Sequence, residues 1–368
     1  VTGNGERATG NGGRSAAQLL PYRRMKISWP SVLDPLMAGT DLTRDETHAA
    51  MTEIMSGEAT EAQIAAFIVS LRTKGETAEE MTGLVDAMFE AALTVDVGQP
   101  VVDVVGTGGD QAGTFNISTT AAFVVAGAGA KVAKHGNRAA SSKTGSADLL
   151  EALGFDLELP PEATVQMIKE TGFGFFFAPR YHPAMRFAAP VRRQLGVRTV
   201  FNFLGPLCNP AGATRMSVGT SDPHMAALMI EVLRNRGAES AFVFYGEDGL
   251  DELTTTGPSY IYRLRDGEIT HAEWTPEDFG VARTGLDDLR GGDADENLAI
   301  TRSILEGSAG PKRDIVLVNS TPAIVAAGLA EGFSDAMDLA KQAIDSGAAM
   351  AVLENATYLS RTFAGTSG

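Results

Sequence analysis

The stretch Val101–Val105 reads as a strand and runs directly into Gly106-Thr107-Gly108-Gly109-Asp110. Next come Thr114-Phe115-Asn116-Ile117-Ser118-Thr119-Thr120 and an apolar helical stretch, Ala121 to Ala128. A strand, a glycine turn and a hydroxyl-rich helix start make a natural cradle for phosphate. Glycines let backbone N–H groups close on oxygen, and the first turn of a helix favours an anion. The loop is not a Walker A loop, because no Gly-Lys-Ser/Thr follows. It does not complete GxGxxG either, since serine and threonine stand in place of the third glycine. Taken alone, the same residues also read as a tight turn before a helix capped by Ser118 or Thr119.

Two further stretches carry chemistry. Lys131 to Lys143 reads KVAKHGNRAASSK, with four basic residues and no acid. Residues 179–200 add Arg180, Arg186, Arg192, Arg193 and Arg198, again without an acid. In a chain of formal charge −16, such islands point to a focused site for an anionic ligand. The competing reading is a solvated basic face. It fits less well, because the basic residues alternate with glycine, alanine, proline and serine. Beyond the strand ending at Tyr245, Asp251 and Glu252 sit side by side on a loop. Adjacent carboxylates are hard oxygen ligands suited to Mg²⁺, which takes one or two of them together with a substrate phosphate. A polar turn with a helix cap is the plainer reading of that pair. His48, His135, His182, His224 and His271 have no zinc spacing. His135 and His182 fall in the basic windows and are expected near a pocket. No GxSxG nucleophile motif is present.

The elements that position these residues follow from periodicity. Thr43 with Glu46, Thr60 with Gln63 and Thr77 with Glu80 each fit a capping box. Ile64, Phe67, Ile68 and Leu71 follow the helical i, i+3, i+4, i+7 rule, as do Met81, Leu84, Val85, Met88 and Phe89. From residue 99, short strands alternate with helices: Val101–Val105, Lys131–Ala133, Phe173–Phe177, Ser217–Thr220 and Ser240–Tyr245. Their spacing suits βαβ crossovers. Ser259–Leu264 and Glu268–Trp274 read as a hairpin about Arg265-Asp266-Gly267. The expected fold class is α/β: a small N-terminal all-helical domain, then a large α/β domain with a mostly parallel central sheet flanked by helices. The expected division is a disordered tail over 1–25, a helical domain over 26–97 joined by helices from about 181–208, and an α/β domain over 98–368. The tail is rich in glycine and arginine, and Met25 is a plausible translation start.

Hydrophobic residues make up 44 % of the chain and charged residues 21 %. That balance excludes global disorder. The negative charge argues against nucleic acid and anionic membranes as partners. No apolar run reaches the roughly 18 residues of a membrane span. The single cysteine, Cys208, allows no internal disulfide, which fits a cytoplasmic protein.

These motifs together resemble the anthranilate phosphoribosyltransferase family. The resemblance spans roughly residues 28–364. It is carried by Gly106–Asp110, Asn116-Ile117-Ser118-Thr119, the string from Lys134 to Ser142, Gly145-Ser146-Ala147-Asp148, His182-Pro183, Val191-Arg192-Arg193, Phe201–Pro210, Asp248–Glu252 and Gly291-Gly292-Asp293 with Asn297. It implies transfer of phosphoribosyl from phosphoribosyl pyrophosphate to anthranilate, in tryptophan biosynthesis, by a Mg²⁺-dependent homodimer joined through its helical domains. By motif position, it implies that Gly106, Gly109, Asp110, Thr114, Asn116, Ile117, Ser118, Thr119, Lys134, His135, Gly136, Asn137, Arg138, Ala139, Ala140, Ser141, Ser142 and Ser146 hold phosphoribosyl pyrophosphate. It places anthranilate at Gly106, Asn137 and Arg192, and magnesium at Ser118, Asp251 and Glu252.

The chain departs from the family pattern at Gln111-Ala112 and at Asn319-Ser320-Thr321-Pro322, the latter expected at the start of a scaffold helix. Competing readings are a pyrimidine-nucleoside-phosphorylase-like enzyme, which needs no Asp251–Glu252 metal pair, and a non-catalytic nucleic-acid-binding relative, which the net charge opposes.

Overall fold

The three capping boxes start three helices. In each, the threonine hydroxyl accepts the N3 amide, and the N3 side chain accepts the threonine amide. These are α2 (Arg44–Ser56), α3 (Glu61–Lys74) and α4 (Ala78–Glu90), preceded by α1 (Trp29–Met37). The computed structural model describes residues 27–110, 112–139 and 143–366. The tail expected to be disordered therefore lies outside the described residues. Glu80 does more than close its box. It is fully buried, accepts the Leu42 amide at 2.9 Å and pairs with Lys74 at 2.9 Å. A buried carboxylate is tolerated when its lone pairs are filled in this way.

The remaining elements are β1 (Val102–Gly106), α5 (Ile117–Gly127), β2 (Val132–Gly136), α6 (Ser146–Leu153), α7 (Pro161–Thr171), β3 (Phe173–Phe177), α8 (Ala178–Tyr181), α9 (Ala189–Leu195) and α10 (Phe201–Leu204). Then follow β4 (Arg215–Gly219), α11 (Pro223–Asn235), β5 (Ser240–Gly246), β6 (Ser259–Arg265), β7 (Glu268–Trp274), α12 (Ala294–Leu305), α13 (Pro311–Ala326), α14 (Phe333–Asp345) and α15 (Ala348–Thr366). One seven-stranded sheet runs β3-β2-β1-β4-β5-β6-β7. The first five strands are parallel, and β6 and β7 add an antiparallel hairpin. The hairpin turns at Asp266 and Gly267, both at positive φ, as a two-residue turn with right-handed strands requires.

Side-chain alternation along the strands feeds two cores. Val102, Val104, Phe242 and Phe244 pack with α5, α13, α14 and α15 on one face. Val105, Met216, Val218, Ala241 and Val243 pack on the other with α11 and the helical unit. Val191 of α9 and Phe201, Phe203 and Leu204 of α10 belong to that second core, beside Phe67 and Leu84. The helical unit thus shares its core with residues from the 189–207 region and with the sheet.

Three local expectations need correcting. Strand β2 continues through Lys134 and His135 to Gly136, where hydropathy ends it at Ala133. Both polar side chains are buried, so the strand persists because its backbone pairs with β3, not because its side chains are apolar. Strand β4 spans Arg215–Gly219 rather than Ser217–Thr220, because its pairing with β1 begins at Arg215 and ends where Gly106 meets Gly219. Asn319-Ser320-Thr321-Pro322 lies inside α13, not at its start. A proline there leaves the Val318 carbonyl without its helical amide. The Thr321 hydroxyl donates to that carbonyl at 2.8 Å, which lets the helix run on.

Gly83 sets how closely α4 approaches α2. A Cβ there would overlap the Arg44 carbonyl and the Thr47 hydroxyl. Gly83→Ala should lower stability by about 1–3 kcal/mol through overpacking. Chemical denaturation checks this; an unchanged midpoint would mean that the two helices separate at no cost.

Candidate functional site

Parallel order 3-2-1-4-5 reverses direction between β1 and β4. The crevice beyond the carboxyl ends of those strands is where open α/β sheets bind ligands. The glycine loop leaves the end of β1 at this point. Gly106 and Gly219 are register partners at the two strand ends, and Thr107 N–H donates to Gly219 O at 2.9 Å. The loop after β5 brings Asp251 across both glycines. A Cβ on Gly106 would fall 2.5 Å from Asp251 Oδ2, and one on Gly219 would overlap the Asp251 carbonyl. Both positions therefore exclude any larger residue.

The carboxylate pair grips two separate elements. Gly108 N–H donates to Asp251 Oδ2 at 2.6 Å. Ser118 N–H, in the first turn of α5, donates to Glu252 Oε1 at 3.1 Å. Helix α5 has Asn116 at its N-cap with no side-chain cap bond. Neither Ser118 nor Thr119 caps it. Glu252, 134 residues away in sequence, takes one of the free amides, as the positive end of a helix dipole favours.

Lys134 lies beneath this pair, 1 % exposed. Its ammonium donates to the Val104 carbonyl at 2.5 Å and lies 3.5 Å from Ser118 Oγ. Burial pulls its pKa down to about 8, against the charges of Asp103, Glu252 and Asp251. Burial pushes Asp251 up to about 7, with the charge of Asp110 next in importance. Burial and the charge of Asp251 hold Glu252 well above the usual carboxylate range. Asp103, fully buried, is pushed up to about 6 by burial, against the Asn209 hydrogen bond and the Lys134 charge. Asp103, Asp251 and Glu252 thus face one ammonium, and Asp110 adds its charge beside the Asp251–Glu252 pair. The donor set is hard oxygen and short of positive charge, which fits a divalent cation such as Mg²⁺. The ligands expected for it, Ser118, Asp251 and Glu252, lie on the α5 start and the carboxylate loop, which the Ser118 amide joins to Glu252.

The remaining predicted residues form a frame around the loop. Asn116 donates to the Thr144 carbonyl at 3.1 Å and accepts from Asn297 at 3.0 Å. Thr114 bridges to Arg290, and Gly113 O accepts from Gly291 N–H. The Asn137 carbonyl accepts from Ser146 Oγ at 3.2 Å and from Ala147 N–H at 3.2 Å. Gly136 leaves room for Ser146, since a Cβ there would overlap its hydroxyl. Ala139 N–H donates to Asp148 at 3.0 Å. Ile117 and Thr119 are buried. Gly109 admits the Arg198 guanidinium, which donates to Gly108 O at 2.8 Å. Arg192 comes from a different element, α9. Its guanidinium lies over the Phe201 ring, and burial lowers its pKa. Ala140, Ser141, Ser142 and Gln111 lie outside the described residues.

The expected positive island is smaller than the sequence implies. Arg138 pairs with Asp148 at 3.0 Å and Glu151 at 2.8 Å, and Arg180 pairs with Glu158 at 3.3 Å. The windows are free of acid along the chain, but the fold supplies acid from elsewhere. Sequence reasoning gives Asp103 and Arg198 no specific role. The available signal for Asp103 is a lone charge inside an apolar strand.

His135 and His182 pack against each other with tilted rings, centroids 5.0 Å apart and planes at 47°. Both are buried, and both Nε2 atoms lack a hydrogen-bond partner among the described residues. Burial lowers His135 to about 3 and His182 to about 4.

Comparison with known proteins agrees with this architecture. The "Glycosyl transferase family, helical bundle domain" matches residues 30–92, and the "Glycosyl transferase family, a/b domain" matches residues 98–350. A helical bundle beside an α/β sheet with its site at the switch point is therefore a glycosyl transferase architecture. The anthranilate phosphoribosyltransferase of Arthrobacter sp. (strain FB24) is 51 % identical over 340 residues, 91 % of this chain and 96 % of that protein. The crystal structure of anthranilate phosphoribosyltransferase from Thermus thermophilus matches with TM-score 0.85 and 43 % identity, covering 90 % of this chain and 99 % of that one. The Saccharomyces cerevisiae enzyme in complex with PRPP and Mg matches with TM-score 0.84 and 26 % identity, covering 92 % and 99 %. The chain belongs to the anthranilate phosphoribosyltransferase family.

The histidine pair generates a pH prediction. The native rings stay neutral where the unfolded chain, near its ordinary 6.5, takes up protons. The pair's contribution to stability is complete above pH 6.5 and is lost as pH drops toward 4, by up to about 1.4 kcal/mol per pH unit for each ring, while the raised carboxyls of Asp103, Asp251 and Glu252 act in the opposite sense over the same range. His182→Gln should remove one ring's share of that loss, so the variant gains stability relative to the native protein as pH falls from 6.5 toward 4, as measured by paired urea midpoints. An unaltered slope would mean that the ring is protonated in the native state.

Proposed function

We propose that this chain transfers the 5-phosphoribosyl group of phosphoribosyl pyrophosphate to the amine of anthranilate. The products are N-(5-phosphoribosyl)anthranilate and pyrophosphate, in L-tryptophan biosynthesis. One observation carries the reading of the site. Asp251 and Glu252 are bonded at once to the glycine loop and to the first turn of α5, so metal ligands and phosphate cradle are one structure.

Phosphoribosyl pyrophosphate lies along the glycine loop, the start of α5 and the segment from Lys134 to Ser146. Ser118, Asp251 and Glu252 would hold Mg²⁺, which would supply positive charge for the pyrophosphate oxygens. The transition state resembles an oxocarbenium ion, with negative charge growing on the leaving group. Fixed donors that meet this charge lower the barrier most. Asp251 and Glu252 hold the glycine loop and the α5 start in place, and the remaining amides of these two segments are such donors. The charge of Lys134 favours the ionised form of Glu252, against the burial that raises it. The amine of anthranilate is neutral at pH 7 and carries its own lone pair, so positioning does the rest. Arg192 meets the anthranilate carboxylate with a planar guanidinium, and Gly106 and Asn137 complete that subsite. The active enzyme is a cytoplasmic homodimer joined through α1–α4. Among the described residues no helix is long and apolar enough to cross a membrane.

Two variants test the assignment. Arg192→Ala should raise the KM for anthranilate about tenfold or more, the cost of a charge-assisted hydrogen bond, while the KM for phosphoribosyl pyrophosphate stays within about twofold. Equal losses for both substrates would place Arg192 elsewhere. Asp251→Asn combined with Glu252→Gln should raise the Mg²⁺ concentration for half-maximal activity by about tenfold or more. The fluorescence of consumed anthranilate reads both, and metal dependence identical to the native enzyme would remove the pair from the site.

A further inference from the structure

Asn319 sits in the interior of α13 and is 1 % exposed. Its side chain makes three hydrogen bonds. Oδ1 accepts the Leu253 amide at 2.8 Å. Nδ2 donates to the Leu253 carbonyl at 2.8 Å and to the Ile315 carbonyl at 2.9 Å. Both amide hydrogens are used, and the Leu253 N–H fixes which end of the side chain is oxygen. Leu253 follows Glu252 directly. The peptide joining Glu252 to Leu253 is therefore held at its N–H, and the next peptide is held at its carbonyl.

Two neighbours provide an internal control. Ser320 and Thr321 are as deeply buried as Asn319, yet their hydroxyls donate only to carbonyls of their own helix, Val316 and Val318. Of three consecutive buried polar residues, the one that leaves its helix ends on the carboxylate loop. Helix α13 also shares a core with α5, whose first turn binds Glu252. Asp248 braces the other side of the loop, accepting Thr254 and Thr256 hydroxyls at 2.6 Å each.

We propose that Asn319 is a positioning residue for the magnesium site, a bracket that holds the Asp251–Glu252 loop in its ligating shape before the ion arrives. This rests on reading the pair as metal ligands. Two carboxylates crowded against Asp110 repel one another, and a loop without a bracket can relax that repulsion by opening. Each opening must be reversed when the ion binds, which weakens binding. Groups behind metal ligands typically matter about 10–100-fold in affinity.

The test compares wild type with Asn319→Ala, Asn319→Asp and Ser320→Ala, using amide hydrogen exchange without ligand, thermal midpoints and Mg²⁺ titration of activity. In the wild type the Leu253 amide should exchange as slowly as interior amides of α13. Asn319→Ala should speed exchange across 247–256 and raise the Mg²⁺ requirement about tenfold. Asn319→Asp keeps the shape but loses both donors. It should raise the requirement as well, and serves where the alanine variant does not fold. Ser320→Ala should lower the thermal midpoint and move neither readout. The proposal is overturned by fast Leu253 exchange in the wild type, by a folded Asn319 variant with native exchange and metal requirement, or by an equal shift in Ser320→Ala. A wild type indifferent to Mg²⁺ would instead sink the metal reading, while the exchange data would still decide whether the bracket exists.

Discussion

Asp251 lies against the ends of two neighbouring parallel strands, and this close approach governs the site. It is possible only because Gly106 and Gly219, paired in register, both lack a Cβ. With Asp251 seated there, its carboxylate reaches the Gly108 amide and Glu252 reaches the start of α5. The glycine loop, the helix N-terminus and the carboxylate loop become one rigid constellation. Preorganised donors of this kind do not have to reorient when charge develops on a leaving group.

The constellation stores an electrostatic imbalance. Three carboxylates gather around one buried lysine, and burial raises the pKa of each. Unpaired, such an arrangement costs several kcal/mol. Lys134 offsets part of it and the amide at the α5 start another part. A divalent cation with a polyphosphate would complete the balance. The surplus of negative charge that burial makes costly is the same charge that would attract a divalent cation. It also explains why Asn319, Asp248 and the Asn116–Asn297 contact surround the site with uncharged or already satisfied hydrogen bonds. Asn319, Asn116 and Asn297 hold geometry without adding to the surplus of charge, and Asp248 accepts the Thr254 and Thr256 hydroxyls.

The helical unit enters through packing. Its core is continuous with that of α9–α11 and with one face of the sheet. Arg192 stands on α9 and the glycine loop stands on β1. The two subsites assigned to anthranilate and to phosphoribosyl pyrophosphate therefore meet where helical and α/β elements pack. Any change in that packing would alter the distance between acceptor and sugar, on which the reaction depends.

Much was legible locally. Capping boxes, strand alternation, the Asp266-Gly267 turn and the glycine loop depend on residues a few positions apart, and local backbone chemistry sets them. The family resemblance is also a property of ordered motifs along the chain. What the chain alone could not reveal involves long separations. Arg138 and Arg180 read as free positive charge because their partners are not in their own windows, and only the fold delivers Asp148, Glu151 and Glu158 to them. Lys134 and His135 read as the end of a strand, since hydropathy registers side-chain polarity and not the neighbouring backbone that pairs with them. Asn319 read as a helix start, because its partner Leu253 is 66 residues away. Residue type and short-range spacing therefore determined the elements and the kind of chemistry. Tertiary structure decided which charges remain unpaired and what holds the carboxylates still, because Coulomb and hydrogen-bond energies depend on distance in space.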